Sequence, residues 1–203
     1  MTDNIILRQG APINKASKAL ILLHGRGGTA EDIITLADHF CDDQFYIAAP
    51  QAPNNTWYPK GFMSEAHLNE PILSASIEGI KKLIDDTSKH IPRSRIYLMG
   101  FSQGASLSLE ISSRSAEQYG GIVAFTGALM GPTLDRKKYH GNFEGTKIFI
   151  GTSDQDPFVP LDRIEQSKDI LVEMGGDVTL KVYKGMTHTI TEEEINWVKE
   201  HIF

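Results

Sequence analysis

Cysteine is almost missing from this 203-residue chain: Cys41 stands alone, which excludes an internal disulfide and any metal cage built from several thiolates. Cys41 ends a stretch with helical periodicity and is read as a packed thiol, not as a nucleophile. Long apolar runs are missing too. No segment stays apolar for long enough to cross a bilayer, and the opening MTDNIILRQGAP lacks the basic head and apolar body of a leader. Basic charge is in the minority, 20 Lys and Arg against 26 Asp and Glu for a net charge of -6, so a phosphate backbone meets no attractive field. These absences lead to the expectation of a cytoplasmic protein with no stable membrane insertion and no nucleic-acid partner. With 40% hydrophobic and 23% charged residues, the chain has interior enough for one full core and is read as a single domain over 1–203.

What is present is an alternation. Apolar runs rich in branched residues occur at Ala19–Leu23, Phe45–Ala48, Arg95–Met99, Gly121–Phe125, Lys147–Ile150 and Val178–Tyr183. Most are continuously apolar, as strands covered on both faces are. Between them, helical periodicity covers Thr29–Cys41, Pro71–His90, Ser102–Gln118, Leu161–Met174 and Thr191–Ile202. Thr29-Ala30-Glu31-Asp32 and Thr191-Glu192-Glu193-Glu194 both have the form of a capping box, and Gly175-Gly176 supplies a stop. The order predicts an α/β fold with a mostly parallel central sheet and helices on both faces. Gln51–Asn69 has no period and many turn residues, which suits a loop covering a pocket.

GFSQG, residues 100–104, follows the third of these strands and opens a helix. Two glycines flanking Ser102 at two-residue spacing fit a turn so sharp that no side chain is tolerated at either position, the geometry of a nucleophile elbow. A serine hydroxyl is a weak nucleophile and needs a base, a group to orient that base, and donors for the oxyanion of acyl transfer. Of the seven histidines, His188 is the one on a loop after the last strand. His90 and His201 end helices, where the dipole accounts for them, and His39, His67 and His140 lack a strand context. The orienting carboxylate belongs after the penultimate strand, where Gly151-Thr152-Ser153-Asp154-Gln155-Asp156-Pro157 offers Asp154 and Asp156. Either can also be a turn former, and the pair lacks the further ligands and glycine of a calcium loop, so no metal is expected. The oxyanion donors fall on the amide of Gln103 and on that of Arg26, in the loop His24-Gly25-Arg26-Gly27-Gly28. Gly25-x-Gly27-x-x-Ala30 also fits a loose dinucleotide fingerprint. That reading wants an acid about twenty residues on, where this chain has Ala48-Ala49-Pro50-Gln51, and no Gly-Lys-Ser/Thr supports a phosphate loop.

LLHGRGG, APQAP, WYP, GFSQG, DPFVP and GMTHTI stand in this order from Leu22 onward. On these segments the chain resembles the phospholipase/carboxylesterase family of α/β-hydrolases, which includes acyl-protein thioesterases and small bacterial carboxylesterases. The resemblance implies the α/β-hydrolase fold with a small loop cap, a nucleophile at Ser102, an acid at Asp156, a base at His188 and oxyanion amides at Arg26 and Gln103. It implies a cofactor-independent serine hydrolase that acts on small-molecule esters or thioesters through an acyl-enzyme. The chain departs from the thioesterases at Arg26, where those carry Leu, and at Thr187, where Gly is common. Both departures bear on the substrate and leave the chemistry untouched. Trp57 and Tyr58 are expected either to line an apolar substrate pocket or to pack the cap loop onto the domain. The Arg26 side chain is expected to meet an anionic substrate group or to pair with Glu65 or Glu70. A protein of the same fold that binds a small ligand without turnover is the alternative, and a homodimer is left open.

Overall fold

The continuously apolar runs become the inner strands of one seven-stranded sheet in a computed structural model that describes residues 5–203. Met1–Asn4, part of the stretch read above for a leader, lie outside the described residues. The strands are β1 (Ile6–Gly10), β2 (Lys18–Leu23), β3 (Phe45–Pro50), β4 (Ile96–Phe101), β5 (Gly121–Phe125), β6 (Lys147–Ser153) and β7 (Asp177–Tyr183), in the order β1-β3-β2-β4-β5-β6-β7. β2 to β7 pair parallel with one another, and the edge strand β1 is antiparallel to β3. This is the expected α/β-hydrolase architecture with one addition. β1 escapes sequence reading because Ile6-Leu7-Arg8-Gln9-Gly10 is a half-exposed edge strand with neither a continuous apolar run nor a clean alternation.

Alternate side chains of β2 explain the two-sided core. Ala19, Ile21 and Leu23 join one cluster with residues of α2 (Ile72–Ser88), α3 (Gln103–Arg114) and α4 (Leu161–Glu173), including Ile80, Leu107 and Ile164. Leu20 and Leu22 point the other way into a second cluster with Ile33 and Val198, contributed by α1 (Ala30–Ile34) and α5 (Glu192–His201). Both faces of the strand are therefore dry, and truncating a side chain such as Leu22, which is 0% exposed, costs about 2–5 kcal/mol through the cavity it leaves.

Two helices differ in extent from their periodicity. The stretch from Thr29 is α-helical only to Ile34 and tightens into a 3-10 turn over Thr35–His39. The Thr35 hydroxyl donates to the Asp32 carbonyl at 2.7 Å, a local bond that competes with the regular ladder. Thr29 caps the Asp32 amide, but the box is left half made because Asp32 is a methylene shorter than the Glu a full box uses. Thr191 and Glu194 complete theirs. α3 begins at Gln103, since Ser102 is in the turn, and it stops at Arg114 instead of Gln118. Beyond it Ala116 pairs with Gly141, donating to His140 O and accepting from Asn142 N, so that backbone is committed to a neighbouring segment. No helix among the described residues is long and apolar enough to cross a membrane.

Candidate active site

Ser102 sits where β4 turns into α3, with φ 53° and ψ -115°. A non-glycine residue in this region stores about 1–3 kcal/mol of strain, which the packing around it must hold. The glycines explain how. A Cβ on Gly100 would lie 2.4 Å from the Gly104 carbonyl carbon, and one on Gly104 would lie 2.1 Å from Leu23 O on β2. The turn is thus wedged against itself and against the neighbouring strand, and the serine side chain is pushed out at the carboxyl end of the sheet, where ligands of open α/β sheets bind.

β6 and β7 bring the other two groups to the same end. His188 lies on the loop between β7 and α5, and its Nε2 is 2.8 Å from Ser102 Oγ while its Nδ1 is 2.7 Å from Asp156 Oδ2. The Asp156 side chain is wholly buried, and its second oxygen accepts from the amides of Phe158 at 2.8 Å and Val159 at 3.1 Å. The imidazole also has the rings of Phe101 and Phe158 against it, at centroid distances of 5.2 Å and 4.9 Å. Asp154 points elsewhere: its Oδ1 accepts from Gly185 N at 2.8 Å. Ser153 Oγ donates to Met186 O at 2.5 Å, so these two residues tie the histidine loop to the end of β6. Sequence reading missed that role, because a bond between residues 31 apart leaves no local pattern.

The loop after β2 completes the arrangement. Among the described residues, the N–H groups of Arg26 and Gln103 find no acceptor within the protein. Behind that loop His24 is buried, and the burial pushes its imidazole below the usual histidine range. Ala52 N donates to its Nε2 at 3.1 Å, so that nitrogen carries no proton, and Nδ1–H donates to Gly25 O at 2.7 Å. The signal for His24 was its place directly before the glycine-rich loop, beside a strand end that also bears Leu23.

The cap segment 51–69 forms the outer wall of a cavity of about 340 Å³ over Ser102, lined by Arg26, Tyr58, Gly61, Phe62, Gln103, Ser106, Phe158, Val159 and His188. Tyr58 lines it and is buried, which pushes its phenol well above the usual tyrosine range. Trp57 does not line it. Its indole is 2% exposed, donates to His24 O at 2.8 Å and stands tilted against the His24 ring, so it packs the cap onto the domain. The chain bends at this pair, and the two rings leave it in different directions. Arg26 makes no ion pair with Glu65 or Glu70 among the described residues. Its guanidinium donates instead to Thr56 Oγ1, Pro59 O and Lys60 O.

Comparison with known proteins agrees with this architecture. The phospholipase/carboxylesterase family model matches residues 8–203. Acyl-protein thioesterase 1 of Saccharomyces cerevisiae is 29% identical over 213 residues, covering 93% of each chain. The crystal structure of a phospholipase/carboxylesterase from Dyadobacter fermentans has a TM-score of 0.96 at 43% identity, covering 98% of this chain and 96% of that one. A carboxylesterase from Bacillus cereus, at 21% identity with a TM-score of 0.79 and coverage of 98% and 93%, shares the fold. A match over nearly the whole length to one family, on the fold that family adopts, means that this chain belongs to the phospholipase/carboxylesterase family.

Proposed function

We propose that the chain is a serine hydrolase that cleaves small carboxylic esters or thioesters through an acyl-enzyme, with Ser102, His188 and Asp156 as its triad. The observation that carries this reading is one imidazole hydrogen-bonded at once to Ser102 Oγ and to Asp156 Oδ2. Asp156 can only accept, so it holds Nδ1 in the protonated form and leaves the Nε2 lone pair directed at the serine. As Ser102 Oγ attacks the carbonyl carbon, its proton passes to Nε2, and the imidazolium that forms is stabilised by the buried carboxylate. The carbonyl oxygen becomes an oxyanion, which the amides of Arg26 and Gln103 receive. Collapse of the tetrahedral intermediate expels the alcohol or thiol, which takes the proton from Nε2. Water then repeats the sequence on the acyl-serine and releases the acid. The aromatic lining from Tyr58, Phe62 and Phe158 suits an apolar group on the substrate.

A fluorophosphonate probe followed by peptide mass spectrometry tests the reading. Stoichiometric labelling at Ser102, abolished in His188→Ala, is the expected result. A folded protein that takes no label and hydrolyses neither 4-nitrophenyl butyrate nor butyryl-thiocholine would overturn it.

A further inference from the structure

The two residues whose amides face the oxyanion position are joined through their side chains by a single hydroxyl. Thr56 Oγ1 lies 3.2 Å from Arg26 Nη1 and 3.2 Å from Gln103 Nε2, with Tyr58 O at 3.0 Å to take its proton. The orientation of the Gln103 amide follows from its other partners. Trp57 N–H can only donate, so it faces Oε1 at 2.8 Å, and Tyr58 O can only accept, so it faces Nε2 at 2.8 Å. Arg26, on the loop after β2, and Gln103, at the start of α3 after β4, share no direct backbone hydrogen bond. The cap residue Thr56 is therefore a side-chain partner shared by both, in addition to the contact between the end of β2 and the start of α3.

We propose that Thr56 is a positioning residue for the oxyanion site, its hydroxyl setting the separation of the Arg26 and Gln103 amides while anchoring the wall that carries Tyr58. The proposal rests on the hydrolase reading above. An oxyanion site acts only if its donors already stand where charge develops, and a displacement of a fraction of an ångström is felt in the transition state far more than in the bound ester. Through Thr56 the cap is part of the apparatus that stabilises the transition state, in addition to being a cover.

Thr56 has an extended backbone, φ -148° and ψ 131°, which a β-branched Val adopts without strain. Thr56→Val thus removes the hydroxyl with little change of shape. With 4-nitrophenyl butyrate, kcat is expected to fall roughly 10- to 100-fold, less than the roughly 10²- to 10³-fold of deleting a donor outright. KM should stay within about twofold. Butylboronic acid, which becomes tetrahedral on the serine oxygen, should bind more weakly by the same factor as kcat/KM falls, as a transition-state mimic does. Thr56→Ser restores the hydroxyl and should recover most of both losses. Thr56→Ala, a truncation at a half-exposed loop position, is the second variant should Val disturb folding, and melting temperatures accompany every variant. Unchanged kcat in folded Thr56→Val or Thr56→Ala overturns the proposal. So does a loss seen in KM or melting temperature while boronate affinity holds. Absence of hydrolysis by the wild type would instead overturn the reading on which it rests.

Discussion

Gly104 and Leu23 meet so closely that a Cβ on the glycine would stand 2.1 Å from the leucine carbonyl oxygen, on backbone that cannot swing aside. The start of α3 is pressed against the end of β2, which places the serine turn beside the Arg26 loop. Gly104→Ala should therefore separate the two. The expected outcome is a destabilisation of about 1–3 kcal/mol or more from overpacking, read from the urea midpoint, with a loss of esterase activity greater than the stability change accounts for. A variant of native stability and activity would contradict the wedge.

On the proposed mechanism Ser102 and His188 act in one step, so their losses should not add. Ser102→Ala and His188→Ala are each expected to lower kcat by roughly 10⁴-fold or more, and the double variant to lie close to the worse single one. Steady-state kinetics on one ester, with enzyme concentration set by quantitative amino-acid analysis, measures all three. Additive free-energy losses would speak against a shared proton transfer.

The two aspartates differ in what they hold. Asp156→Asn presents an amide to His188 Nδ1 and favours the wrong tautomer, with an expected loss of roughly 10⁴-fold in kcat. Asp154→Asn keeps an oxygen for the Gly185 amide and should stay within about tenfold, since at most one modest hydrogen bond is weakened. Comparing the two variants under identical conditions decides the matter, and the opposite ranking would move the acid to Asp154.

His24 predicts an acid-side loss of stability. Burial holds its imidazole below the usual histidine range in the folded state, so between the unfolded value of about 6.5 and the lower folded one the unfolded chain binds more protons. The contribution of His24 is therefore complete above about pH 6.5 and is lost as pH falls through that window. Protonation also turns Nε2 into a donor facing the Ala52 N–H. His24→Gln has nothing to protonate there. The difference in unfolding free energy between wild type and variant should be largest near neutrality and shrink towards about pH 5. A difference independent of pH would show that His24 does not titrate as its surroundings require.

Local chemistry settled a good deal of this protein. The inner strands were legible as continuous apolar runs because a strand covered on both faces has no polar side to show. The turn at Ser102 was legible because close approach at two neighbouring positions tolerates only glycine, a demand met within five residues. The placement of Ser102, Asp156 and His188 after β4, β6 and β7 of a parallel sheet follows from the same order, since each connection returns the chain to the same edge. Other features were invisible for a common reason. β1 is half exposed and paired on one side only, so its pattern is weak. Whether Asp154 or Asp156 meets His188 depends on how two loops more than thirty residues apart fit together. Trp57 and Tyr58 are adjacent and both aromatic, yet one packs behind His24 and the other lines the cavity, because the sheet end and the cap choose which side of the segment faces inward. Arg26 offers the same fork of donors to a substrate anion or to carbonyl oxygens, and only the folded cap brings Pro59 and Lys60 within its reach. Sequence determined what is dictated by a residue's own backbone and its immediate neighbours; tertiary structure decided which of several chemically equivalent partners arrives, because that depends on distances between segments the chain connects only through the rest of the fold.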